Sequence, residues 1–201
     1  MKNRGLLIIV SAPSGCGKGT ILAEILKDKA YHFSVSATTR PPREGEIDGV
    51  NYHFISKAEF EDIIEKGGML EYATYCDNYY GTPKQQVEGM LDKGKNVLLE
   101  IEVQGAMQMR EICPEGVLIF INPPTISELQ RRLKKRGTES DEVINARIEQ
   151  ARKEMKYANE YDYIIVNDRL EKAIKDFKSI IRAEELSTKK NKMKKTEAES
   201  C

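Results

Sequence analysis

The apolar run GLLIIV (Gly5–Val10) passes without a break into SAPSGCGKGT (Ser11–Thr20), and the chain continues as TILAEILKD, with apolar residues at helical spacing. A short buried strand that delivers a glycine-rich turn straight into a helix belongs at the carboxyl edge of a parallel sheet. The turn departs from the phosphate-loop pattern G-x-x-x-x-G-K-[ST] at both ends. Ala12 stands at the first glycine position and Gly19 where the metal-binding hydroxyl belongs, with Thr20 offering a hydroxyl one residue later. The working parts remain. Gly15 and Gly17 permit the dihedrals that turn backbone N–H groups toward an anion. Gly19 opens a helix N-terminus, and Lys18 adds a point charge for the β- and γ-phosphates. Ala12, Pro13, Ser14, Gly15, Cys16, Gly17, Lys18, Gly19 and Thr20 are therefore the expected nucleotide-phosphate segment. Its neighbouring amides and Lys18 are conditions that lower a thiol pKa, which makes Cys16 a candidate oxidation-sensitive switch; the plainer reading is a small filler side chain.

The same rhythm recurs. NVLLEIE, GVLIFI and YDYIIVN read as buried strands, and VQGAMQMREI, TISELQRRLKKR, DEVINARIEQARKEMKYA and LEKAIKDFKSIIRAEEL as helices. Strands alternating with helices predict an α/β fold, a mainly parallel sheet in a three-layer P-loop arrangement. One stretch breaks the pattern: about fifty residues separate FSVSATTR from the next core strand at Asn96, far more than a crossover helix needs. Residues 37–90, with strand-like NYHFIS and MLEYATY and helix-like KAEFEDIIEKG, are read as an inserted subdomain between core segments 1–36 and 91–186. Residues 136–141 make a second, shorter excursion between two helices. From residue 187 to 201 the chain holds five lysines within 189–195, a composition that predicts a solvated, disordered tail; contact with RNA or membrane is its minor reading.

Lys+Arg and Asp+Glu stand at 32 each, which points to neither nucleic acid nor an anionic membrane as partner. No apolar run is long enough to span a bilayer. Cys16, Cys76, Cys113 and Cys201 form no C-x-x-C pair, so neither a zinc site nor a disulfide framework is expected, and the plain reading is a cytoplasmic protein with free thiols. A monomer or a homodimer is expected.

In FSVSATTRPPREGEIDGVNYHF, Pro41 and Pro42 favour an extended three-per-turn conformer that faces Arg40 and Arg43 the same way, as a phosphate clamp. Tyr52 can donate to the same anion. The loop spacing is similar to that of nucleoside monophosphate kinases. SVSATTRPPREGEIDGVNYHF, MLEYATYCDNYYGTP, NVLLEIEVQGA, RRLKKRGTESDEVINARI and IIVND, in that order, resemble guanylate kinases over about residues 5–185. The resemblance implies that Ser36, Arg40, Arg43, Tyr52, Glu71, Tyr80, Thr82 and Glu102 hold GMP, the arginines and tyrosines at its phosphate and the others at its base. It makes the insertion the GMP-binding subdomain, 133–148 a lid, and ATP and GMP, with dGMP as a further acceptor, the substrates. It also puts Asn167 and Asp168 near the adenine of ATP; chemistry alone reads them as a turn after a strand. A carboxylate such as Glu71 accepts from guanine N1–H and N2–H₂ together, while Ser36 or Thr82 can donate to O6.

No histidine base is required, because GMP reaches neutral pH mostly as a dianion, so the task is charge neutralisation and alignment. Lys18 serves the donor, Arg40 and Arg43 the acceptor. Arg132 and Arg136 lie four apart on one helical face, with Arg147 on the next helix. Gly137 is expected to end the first helix and Ser140 to cap the second, with Asp141 and Glu142 in its first turn. Glu100 and Glu102 are read as i and i+2 on one strand face. Mg²⁺, carried with ATP, is expected near Thr20 and Glu100, directly or through water, since the ion keeps several waters. Two rival readings stand beside a kinase for GMP. One is a guanylate-kinase-like domain that binds proteins and catalyses nothing, against which Lys18 and the arginine set speak. The other is a kinase for a different acceptor.

Overall fold

The computed structural model describes residues 4–75, 77–137 and 140–187. The expected lysine-rich tail beyond Ser187, Cys76, Cys201 and the lid residues 138–139 lie outside the described residues.

The expected strands form a five-stranded parallel sheet, β2 (Tyr31–Phe33), β7 (Asn96–Glu100), β1 (Leu7–Ser11), β8 (Val117–Asn122) and β9 (Tyr163–Val166), in that spatial order. Being buried on both faces, these strands read as continuous apolar runs rather than alternating ones. Their pleat splits the core in two. Ile8, Val10, Leu98, Ile119 and Ile121 face α1 (Lys18–Ile25), α5 (Ile126–Arg136), α6 (Asp141–Met155) and α7 (Leu170–Leu186). Leu7, Ile9, Val97, Leu99 and Phe120 face α3 (Lys84–Asp92) and α4 (Val103–Ile112).

Between β2 and α3 the chain builds a second sheet, ordered β4 (His53–Phe54), β3 (Ala37–Thr38), β6 (Asn78–Pro83), β5 (Met69–Tyr75), with α2 (Lys57–Glu65) packed against β6 through the fully buried Phe60. α2 starts at a reciprocal capping box, Ser56 with Glu59. This sheet ends at Pro83. α3, which begins inside the expected 37–90 insertion and ends beyond it, sets Val87 and Leu91 into the core of the large sheet.

Two expected helix ends are present. Gly137 closes α5 at φ 66, and Ser140 Oγ accepts from the Val143 N–H at the head of α6, 3.5 Å away, with Asp141 and Glu142 in its first turn. Glu100 and Glu102 do not share a strand face. The strand ends at Glu100, and Glu102 is the N-cap of α4, because burying Val103 turns the chain into the helix.

Candidate active site

β1 ends at Ser11, whose hydroxyl is tied to the Ile101 carbonyl at 2.7 Å, and the next residues form the glycine-rich loop. Gly15 and Gly17 have φ of 92 and 82, the left-handed region that glycine alone enters cheaply. Both are also packed closely: a Cβ on Gly15 would fall 2.8 Å from Leu133, and one on Gly17 2.6 Å from Asn167 Nδ2. Pro13 and Ala12 are buried behind the loop, Ser14 is exposed, and Gly19 and Thr20 lie exposed in the first turn of α1. The first N–H groups of α1 have no partner within their own helix and point out of its N-terminus, as anion binding requires. Lys18 Nζ lies 3.5 Å from Glu100 Oε1 at the end of β7.

Cys16 fits the filler reading and not the switch. It is wholly buried, in the apolar cluster that holds Leu129 and Leu133, and burial pushes its thiol up to about 12 despite Arg132 and Lys18. Desolvation of the thiolate outweighs the nearby cations. The sequence shows the neighbouring amides but not the helix that covers the loop.

In the inserted sheet, Arg40 forks onto Glu46 at 2.6 and 2.7 Å and also donates to the Pro41 carbonyl. Its guanidinium lies 5.2 Å from the Tyr52 ring centre and 5.6 Å from that of Phe54, and it hydrogen-bonds Tyr80. The rings of Tyr52 and Tyr80 meet edge to face at 5.9 Å. Glu46 further accepts from the Arg43 N–H, and these donors hold its carboxyl down at about 2. The Arg43 side chain is exposed. Glu46 escaped the sequence reading; its one signal is an acid six residues after Arg40 across the Gly45 turn.

Glu71 and Thr82 are both buried, and the Thr82 hydroxyl donates to Glu71 Oε1 at 2.6 Å. That proton is committed to the carboxylate, so Thr82 orients Glu71 instead of donating to a base. Burial raises the Glu71 pKa, with Thr82 opposing. Oε2 lies 3.0 Å from the place a Cβ would take on Gly105, in the first turn of α4, so the large sheet's helix forms part of this pocket. Ser36 lies half-buried just before β3, its carbonyl accepting from the His53 N–H. The Glu100 carboxylate is close enough to Tyr52 to help raise its pKa, after burial and Tyr80. The two sheets thus face one another at the ends of β1 and β7.

Arg132 and Arg147 are anchored. Arg132 donates to Glu128 at 2.8 Å and to the Asn167 carbonyl at 3.0 Å, and Arg147 reaches Ser14 Oγ at 2.6 Å. Glu128 is held at about 2 by Arg131 and Arg132. The side chain of Arg136 lies outside the described residues. Asn167 is buried against the loop and Asp168 is exposed. Glu154, on α6, also went unforeseen; burial raises its pKa, Glu102 adding and Lys18 opposing. Among the described residues no group of three or more His, Cys, Asp or Glu could cage a metal. A single exposed hydroxyl and carboxylate, Thr20 and Glu100, do suit an ion that arrives on phosphates and keeps its waters.

A family model described as guanylate kinase matches residues 4–184. The chain belongs to the guanylate kinase family. It is 53% identical over 188 residues to a guanylate kinase of Latilactobacillus sakei, covering 92% of this chain and 93% of the relative. It is 50% identical over 190 residues to one from Desulfitobacterium hafniense, covering 94% and 95%. The crystal structure of guanylate kinase from Anaplasma phagocytophilum superposes with a TM-score of 0.76 at 34% identity, covering 94% of this chain and 91% of that one. The mixed α/β fold with its mainly parallel sheet is the one this family shares. Among the described residues no helix is long and apolar enough to cross a membrane.

Proposed function

We propose that the chain transfers the γ-phosphoryl group of ATP to GMP, giving ADP and GDP, as a cytoplasmic enzyme of guanine nucleotide metabolism. One observation carries the reading. A phosphate loop at the end of β1 faces an inserted subdomain that presents a buried carboxylate, Glu71, and an arginine framed by two tyrosines.

The loop amides and Lys18 hold the ATP phosphates. Arg40, Arg43, Tyr52 and Tyr80 hold the GMP phosphate, and Glu71, oriented by Thr82, accepts from guanine N1–H and N2–H₂, with Ser36 and Glu102 beside the base. Adenine has neither donor and leaves the buried carboxylate unpaired. A GMP phosphate oxygen then forms a bond to the γ-phosphorus while the bond to the β,γ-bridging oxygen breaks, and that electron pair leaves with ADP. The attacking dianion brings its own nucleophilicity, so the side chains align and neutralise rather than abstract a proton. Arg132, Arg136 and Arg147 come over the transferring group as the lid closes. Mg²⁺ would be held near Thr20 and Glu100 through water, and it supplies charge neutralisation of the β- and γ-phosphates. Asp168, exposed at the end of β9, lies on the ATP side.

A coupled assay of ADP release with ATP, Mg²⁺ and GMP, dGMP or AMP tests the reading. GMP is expected to be the preferred acceptor. No GMP-dependent ADP release would refute the enzyme reading in favour of a binding domain, and a preference for AMP would refute the assigned acceptor.

A further inference from the structure

Asn167 stands at the end of β9, 151 residues from the loop it touches. Its backbone N–H donates to the Asn122 carbonyl at the end of β8, 2.8 Å away. Its side-chain Nδ2 donates to the Cys16 carbonyl at 2.7 Å, and its own carbonyl accepts from Arg132 at 3.0 Å. The residue is 6% exposed, and Nδ2 occupies the space a side chain on Gly17 would need. One of the two N–H donors of this amide is committed to the loop, which gives the side chain a task apart from any base.

We propose that Asn167 is a positioning residue whose side chain aims the phosphate loop, while its backbone carbonyl holds Arg132. The peptide between Cys16 and Gly17 is trans, as are all peptides among the described residues. In a planar trans peptide the N–H points opposite to the carbonyl. Holding the Cys16 carbonyl on the β9 side therefore turns the Gly17 N–H the other way, toward the concavity of the loop. Gly17 at φ 82 has no side chain to resist rotation of that peptide, so an external hydrogen bond has to fix it. The bond to Arg132 comes from the backbone carbonyl of the same residue, which the substitutions below leave in place. The inference rests on the ATP-dependent reading of the loop, and departs from a role for this side chain at adenine.

The test compares the parent chain with Asn167→Asp, which swaps the donor for a carboxylate facing the Cys16 carbonyl, and with Asn167→Ala. Calorimetry measures dissociation constants for ATP, GTP, inorganic tripolyphosphate and GMP. The three polyphosphates should weaken by a common factor of about tenfold, as expected for one lost orienting hydrogen bond, with GMP unchanged. If ATP weakens while tripolyphosphate does not, the side chain reads the base and the proposal is overturned. Unchanged binding of all three, or GMP binding that falls in step with them, overturns it too, as does a parent chain that binds neither ATP nor tripolyphosphate. A parent chain that binds tripolyphosphate in the expected pattern but makes no GDP would instead refute the kinase reading alone.

Discussion

Replacing Glu71 by Gln puts the guanine pocket under the most direct test. The carboxylate presents two acceptor oxygens. Oε1 takes the Thr82 proton at 2.6 Å, and Oε2 faces the first turn of α4 at Gly105. Glutamine keeps the shape but exchanges one oxygen for an NH₂ group. If the amide oxygen keeps Thr82, the NH₂ confronts guanine's own donors in a buried site. An unmade hydrogen bond there costs about 1–3 kcal/mol. That range corresponds to about 5- to 150-fold in kcat/KM for GMP, with AMP affected far less. Steady-state kinetics with both acceptors measures it, and a GMP-to-AMP ratio unchanged by the substitution would refute the role given to Glu71.

The same residue sets a pH dependence of known sign. Burial raises its pKa in the folded chain above the ordinary 4.5. The protonated form is thus favoured by folding, and that contribution is complete below the unfolded value and lost as pH rises through the folded one. Guanine recognition runs the other way, because only the carboxylate accepts both donors. As pH falls toward the raised value, KM for GMP should rise more steeply in the parent than in Glu71→Gln, the protonation of GMP itself being common to both and cancelling from the comparison.

Gly105→Ala should raise KM for GMP by about fivefold, an overpacking cost of about 1 kcal/mol, and leave KM for ATP alone; an unaltered GMP value would show that Oε2 yields freely. Peroxide should inactivate the parent and Cys16→Ala at the same rate, since a thiol held at about 12 carries almost no thiolate near neutral pH, and faster loss in the parent would restore the switch. Glu46→Gln should raise KM for GMP by about tenfold, the loss of one charge-assisted brace on Arg40, and a lowered KM would refute that role. Glu46 is depressed to about 2, so its contribution to stability is present above the unfolded value of 4.5 and lost as pH falls toward 2; thermal melts of parent and variant should converge over that interval.

Much of this was legible in the residues. Strands buried on both faces, such as Leu7–Ser11 and Val117–Asn122, write themselves as apolar runs, and MLEYATY corresponds to β5 residue for residue. What stayed hidden depends on tertiary contact. The thiol of Cys16 is governed by the helix that covers it, not by the amides beside it. The proton of Thr82 is claimed by a residue eleven positions away on the neighbouring strand, so its availability to a ligand could not be read from its identity. Asn167 follows a strand like many turn residues, and its bond to the loop spans most of the chain.

The paired cations resolve an apparent conflict between a formal net charge of +0 and a site meant for two polyanions. Lys18 lies beside Glu100, Arg40 beside Glu46, Arg132 beside Glu128, and Arg147 on Ser14. A long basic side chain carries about 2 kcal/mol of rotamer entropy that binding would otherwise have to remove. Partners fixed during folding remove much of it beforehand, and preorganised charge acts at full strength when the substrate arrives. Three of the Arg40 donor contacts go to Glu46 and Pro41, which leaves the remaining edge of the fork to face Tyr52 and Tyr80. Neutralising a partner carboxylate therefore makes the site more positive and less ordered at once. Simple attraction predicts tighter GMP binding in Glu46→Gln, whereas orientation predicts weaker binding, so the sign of that one change decides between field strength and geometry as the source of affinity.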